Sequence, residues 1–164
     1  MTEEQIVLWN KIRNFEIDDP TSSFTFTDRL ARENNWTIEY AIKAVFEYKK
    51  FLFLILIADF PLTPSDQIDQ VWHLHLLYTQ SYWIDFCKNT IQKDIHHGPT
   101  KGAEQKPLFK DQYLKTLEFY ESVFKKKPPK HIWVDVETRF KEIHFTRVNR
   151  HKNWIFPKLL LKRS

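Results

Sequence analysis

A chain of 164 residues is long enough to bury a core of its own and short enough to form one domain. Fourteen Phe, six Trp and six Tyr supply the apolar surface for that core and exclude a disordered chain. The single cysteine, Cys87, excludes an intrachain disulfide framework and points to a reducing compartment.

The formal net charge of +4 is unevenly distributed. No Asp or Glu follows Glu142, and the six Lys and Arg residues from Arg147 to Arg163 leave residues 1–146 at −2. The N-terminal MTEEQIVLWNKI is acidic and amphipathic, unlike a secretory or transit leader. The longest apolar run, Phe51 to Ala58, falls far short of the roughly 20 residues of a membrane span. A cytoplasmic protein is expected.

In chain order, Ile6, Trp9, Ile12 and Phe15 recur at helical spacing, and EIDDPTSS (Glu16 to Ser23) is turn chemistry. A short helix is expected over Thr25 to Asn34. Thr37 caps the next, which runs from Ile38 to about Asp59 and becomes apolar on every side in its second half. Pro61 and Pro64 interrupt it. Thr63 as N-cap, Pro64 in the first helical position and Asp66 two residues on then open a helix through DQIDQVWHLHLLYTQSYWIDFCKNTI, with a break allowed near Thr79. Lys93 to Pro107 reads as loop, Phe109 to Lys125 as helix, and Ile132 to Ile143 as a last short helix after Pro128-Pro129. The fold class expected is therefore all-α, a single domain of five or six helices over residues 1–146 with irregular loops. Residues 147–164 form a basic and aromatic C-terminal arm, expected to pack on the domain through Trp154 to Leu161.

Only two glycines occur, Gly98 and Gly102, and both lie in HHGPTKG, which His96 and His97 open. That loop is where an unusual backbone path is expected. On the helix upstream, Asp69 and His73 stand four apart and share a face. A carboxylate beside a histidine orients its ring, or the two bind a metal together. His75 lies about 200° round from His73 on an ideal helix and so points inward with Val71, Trp72, Tyr78 and Tyr82. Three arrangements fit this spacing. His73 binds a metal with Asp69 and a loop histidine; His75 binds one from the interior with an acid such as Glu47; or the histidines are structural.

The segments PSDQIDQVWHLHLLYTQSYWIDFC, HHGPTKG, TLEFYESVF and PPKHIW, with RLARENNW and EYKKFLFL upstream, resemble the glycine-rich domain-containing protein-like family. The resemblance spans residues 24 to 140, and WHxH is its most specific part. It implies that Asp69, Trp72, His73, His75, Tyr82, Cys87 and His97 match the family pattern. The glycine-rich tract of longer relatives is absent from this sequence, and the family has no established biochemical activity, so the resemblance implies a fold and not a reaction.

Cys87 reads as an inert buried thiol. No phosphate loop, dinucleotide fingerprint, Ser-His-Asp ordering or zinc-finger cysteine pattern is present. The functional reading is a metal- or small-ligand-binding helical domain centred on the WHxH helix and the HHGPTKG loop. Asp69, His73, His75 and His97 are its candidate metal ligands, and Glu47, Tyr78, Tyr82 and His96 are candidate supports behind them. Zinc, iron, copper and nickel all suit imidazole with carboxylate, and a bound ion would extend the reading to a metal-dependent enzyme. The alternative is a non-catalytic interaction domain with structural histidines, whose basic arm binds an acidic partner, a nucleic acid or an anionic surface.

Overall fold

The computed structural model describes residues 1–98, 103–141, 148–149 and 151–156. It is all-α, and no strand occurs among the described residues. The α-helices are α1 (Glu3–Asn14), α2 (Phe26–Asn34), α3 (Ile38–Ile57), α4 (Asp66–Leu77), α5 (Lys106–Phe124) and α6 (Val136–Lys141); a π-helix (Gln80–Ile91) follows α4 and a 3-10 turn (Ala103–Gln105) precedes α5.

Local chemistry sets most of the helix boundaries. Thr2 caps α1 and Thr25 caps α2, each reciprocated by the third residue of its helix, Gln5 and Asp28. Helix α2 ends on Asn35 at φ 55°, a left-handed conformation that asparagine tolerates. The Thr37 hydroxyl accepts from Tyr40 N at 3.2 Å and starts α3.

Helix α3 is the axis of the molecule, packed against α1, α2 and α4. Its second half carries Phe51, Leu52, Phe53 and Leu54 in succession, all buried. Four consecutive buried positions leave no solvent face, and burial of each large side chain contributes about 2 kcal/mol. Trp9 of α1 seals one side against Phe46, Phe53 and Phe124. Glu47 on the same helix is buried too. Its carboxylate takes Lys50 Nζ at 2.7 Å, Trp133 Nε1 at 3.0 Å and the Tyr120 hydroxyl at 3.2 Å, which ties α3 to α5 and to the turn before α6.

Two expectations are corrected here. Helix α4 starts at Asp66 with Ser65, not Thr63, as its cap; the Ser65 hydroxyl accepts from Ile68 N at 3.3 Å. Thr63 is engaged elsewhere, donating its amide to Thr116 Oγ1 and its hydroxyl to Gln112 Oε1 on α5, each at 3.0 Å. The last helix begins later than expected. Ile132 and Trp133 lie in a turn whose amides both donate to Pro129 O, and α6 begins only at Val136.

The arm falls only partly within the described residues. Trp154, Ile155 and Phe156 are 90, 60 and 78% exposed and do not pack on the helices. Asn149 holds this stretch in a local turn instead, its side chain accepting from His151 N and its carbonyl from Lys152 N and Asn153 Nδ2. Leu159 to Leu161 lie outside the described residues.

Candidate metal centre

Helix α4 brings the first two candidate ligands together by spacing alone. Asp69 and His73 are one turn apart, and His73 Nδ1 sits 3.4 Å from Asp69 Oδ2. The carboxylate lies in the first turn, where the helix N-terminus favours negative charge.

The third member comes from beyond the π-helix. The chain breaks from α4 at Tyr78 (φ −86°, ψ 65°), runs through Gln80–Ile91 and turns back at Gln92, whose φ of 55° is again left-handed. Lys93 N donates to Cys87 O at 3.1 Å and closes that turn. The following residues lie along α4, and His97 Nε2 reaches Asp69 Oδ1 at 2.7 Å.

Trp72 is the floor of this arrangement. Its ring centroid is 4.3 Å from that of His97, edge to face, and the His73 ring is 4.6 Å from His97 on the other side. Beneath, Trp72 Nε1–H donates to the Tyr82 hydroxyl at 2.9 Å, and that hydroxyl donates to Ile95 O at 2.5 Å. Desolvation pushes the Tyr82 hydroxyl well above its ordinary pKa, so it stays protonated and able to donate.

Asp69, His73 and His97 each offer one donor atom, all within 4.8 Å of one another. Three donors bound to one ion at about 2.0–2.1 Å stand about 3 to 3.4 Å apart in tetrahedral or octahedral geometry. The two Asp–His contacts, 3.4 and 2.7 Å, use different oxygens of the carboxylate, Oδ2 and Oδ1, so an ion would draw the three donors into that spacing from within 4.8 Å. Side-chain exposures of 53% for His73, 22% for Asp69 and 13% for His97 leave one side open to solvent. Two imidazoles, one carboxylate and an open side are the donor set of metal centres that retain an exchangeable position.

His75 stands apart from this group. It is buried, with Tyr48 OH 3.0 Å from Nδ1 and Ser81 Oγ 3.1 Å from Nε2, and both nitrogens are engaged. Desolvation, with Lys49 nearby, lowers its pKa to about 3 and keeps it neutral. It is a core histidine ringed by Phe15, Phe26, Tyr48, Tyr82 and Phe86.

Of the four expected supports, only Tyr82 reaches the neighbourhood of the group. Glu47 is committed to Lys50, Tyr120 and Trp133. Tyr78 packs on Phe26 with Arg29 over its ring, and exposed His96 lies against Trp83. Cys87 is buried, and burial raises its thiol pKa, against the thiolate a nucleophile needs.

Two contacts escaped the sequence reading, one at the group and one at His75. Trp72 matched the family pattern but carried no sign of its double contact. Ser81 is six residues from His75, a spacing that shares no face in a continuous α-helix; the break at Tyr78 turns it back. Compared with family models, with curated proteins and with solved structures, the chain finds no match.

Proposed function

We propose that Asp69, His73 and His97 bind a divalent transition metal, and that the chain is a metal-binding helical domain, a function on which the glycine-rich domain-containing protein-like resemblance is silent. The observation that carries this reading is the convergence of two imidazoles and one carboxylate, from α4 and from a loop 28 residues on, within 4.8 Å of one another. An ordinary surface pair on one helix needs no third member from so far along the chain. The exposed side at His73 leaves room for water or a ligand donor, and a metal there would polarise that donor as a Lewis acid.

The test is calorimetric titration of zinc, iron(II), copper(II) and nickel(II) into tag-free protein. Binding to the wild type and its loss in the His73→Ala, His97→Ala double variant is the expected result. No binding to the wild type, or equal binding to both, sinks the reading.

The exposed Trp154, Ile155 and Phe156 favour a second reading beside it, in which the basic arm engages an acidic partner. Its signature is affinity for a polyanion such as heparin that falls steeply with salt, because each charge contact releases counterion.

A further inference from the structure

His97 belongs to a loop, yet its contact with Asp69 is as short as a contact within a helix. Something must fix the path of the chain just before it. Among the described residues, the Tyr82 hydroxyl makes two of the contacts that do so, beside a backbone hydrogen bond from Ile95 to the Cys87 thiol.

Tyr82 is fully buried on the first turn of the π-helix. A phenol carries one proton and accepts through its lone pairs. Here its proton goes to Ile95 O at 2.5 Å, and it accepts Trp72 Nε1–H at 2.9 Å. Ile95 is two residues before His97, at most about 7 Å of extended backbone, so fixing its carbonyl restricts where the imidazole can go. The Ile95 side chain is buried as well, which anchors the same residue from its other end. Trp72 closes the loop of contacts: the indole held by Tyr82 is the one that lies 4.3 Å from the His97 ring, and it stands next to His73 and three residues from Asp69 on α4.

We propose that Tyr82 is the positioning residue of the Asp69–His73–His97 group. Its hydroxyl, shared between the Trp72 indole and the Ile95 carbonyl, joins α4, the π-helix and the loop, and sets the distance at which His97 is presented to Asp69. Tyr82 touches none of the three donor atoms' bonds to an ion and acts only through Trp72 and Ile95. This inference rests on the reading of the group as a metal site.

Tyr82→Phe removes one oxygen and keeps the ring, which packs edge-on to His75 at 5.0 Å and to Trp83 at 4.9 Å. The control is Thr116→Val, which removes a buried hydroxyl on α5 that accepts the Thr63 amide and touches none of Asp69, His73, His97, Trp72 or Ile95. Two measurements separate the roles. Cobalt(II) titration followed by visible absorption reads affinity and ligand set. Hydrogen exchange of the Ile95 to Gly98 amides in metal-free protein reads the loop alone.

For Tyr82→Phe the expected results are an affinity about tenfold weaker, the usual scale for losing an outer support of a metal ligand, and faster exchange at Ile95 to Gly98. The cobalt spectrum at saturation should shift toward that of His97→Ala. Thr116→Val should match the wild type in affinity, spectrum and loop exchange, even if it melts lower. Unchanged affinity and unchanged exchange in Tyr82→Phe overturn the positioning role and leave the metal reading standing. A wild type that binds no cobalt removes the metal reading, and faster exchange in Tyr82→Phe then still supports Tyr82 as what holds His97 in place. Equal effects from Thr116→Val overturn the proposal, since they mark general destabilisation.

Discussion

Tyr48 engages one ring nitrogen of His75 and Ser81 the other, both through hydroxyls that can donate or accept, and burial keeps the imidazole neutral. Its pKa of about 3 lies below the unfolded value near 6.5 because burial penalises the charged form. The unfolded chain therefore binds this proton first as pH falls. Stability from His75 is fully present above pH 6.5 and is lost progressively as pH drops from 6.5 toward 3, at up to about 1.4 kcal/mol per unit. Urea unfolding at pH 7.5 and pH 5.0 checks this. His75→Gln retains hydrogen-bonding capacity without the charge, so its loss between the two pH values should be smaller than the wild type's by about 2 kcal/mol. Equal losses would show that other groups dominate acid unfolding.

At the scale of elements, the buried ion pair of α3 and the change of helical register after α4 do different jobs. Glu47 gathers three donors from α3, α5 and the turn before α6. Lys50 is held by the same carboxylate and by Tyr120 at 2.7 Å, with the rings of Phe46, Tyr120 and Phe124 around its ammonium. Removing the acid strands a mostly buried cation. Glu47→Ala is expected to lower unfolding free energy by about 3–5 kcal/mol, and Glu47→Gln by less because an amide still accepts. A loss under 1 kcal/mol in denaturant titration of Glu47→Ala would refute this account. The π-helix, by contrast, contributes orientation. It turns Ser81 back to His75 and aims Tyr82 at Ile95, two contacts that a continuous α-helix through Tyr78 would not make.

Across the whole molecule, helices α1 to α5 share one core around α3, and no described helix is long and apolar enough to cross a membrane. The described part of the arm lies outside that core. Had Trp154, Ile155 and Phe156 been buried, they would stabilise the fold by several kcal/mol, or roughly 10 °C in Tm for a chain of this size. Exposed as they are, Trp154→Ser combined with Phe156→Ser should shift Tm by less than about 2 °C. A drop near the larger figure in a thermal melt would return the arm to the body.

Much of this was legible from residue type and spacing. Thr37 as a cap, the end of a helix at Asn34, the all-apolar second half of α3, the Asp69–His73 pair and the inward direction of His75 all follow from interactions within three or four residues, which a sequence displays directly. What distant contacts decide stayed hidden. Thr63 had the residue type of a cap but was taken by Gln112 and Thr116 on α5, leaving the role to Ser65. Glu47, weighed as a partner for His75, is instead taken by Lys50, Tyr120 and Trp133, while its neighbour Tyr48 bonds His75. The choice of His97 over His96 and His75 as third member of the group depended on the register of the π-helix and on the Trp72–Tyr82–Ile95 contacts that follow from it. Spacing along a helix is a local property of the chain, whereas which residues meet across 28 positions is settled by how the helices pack.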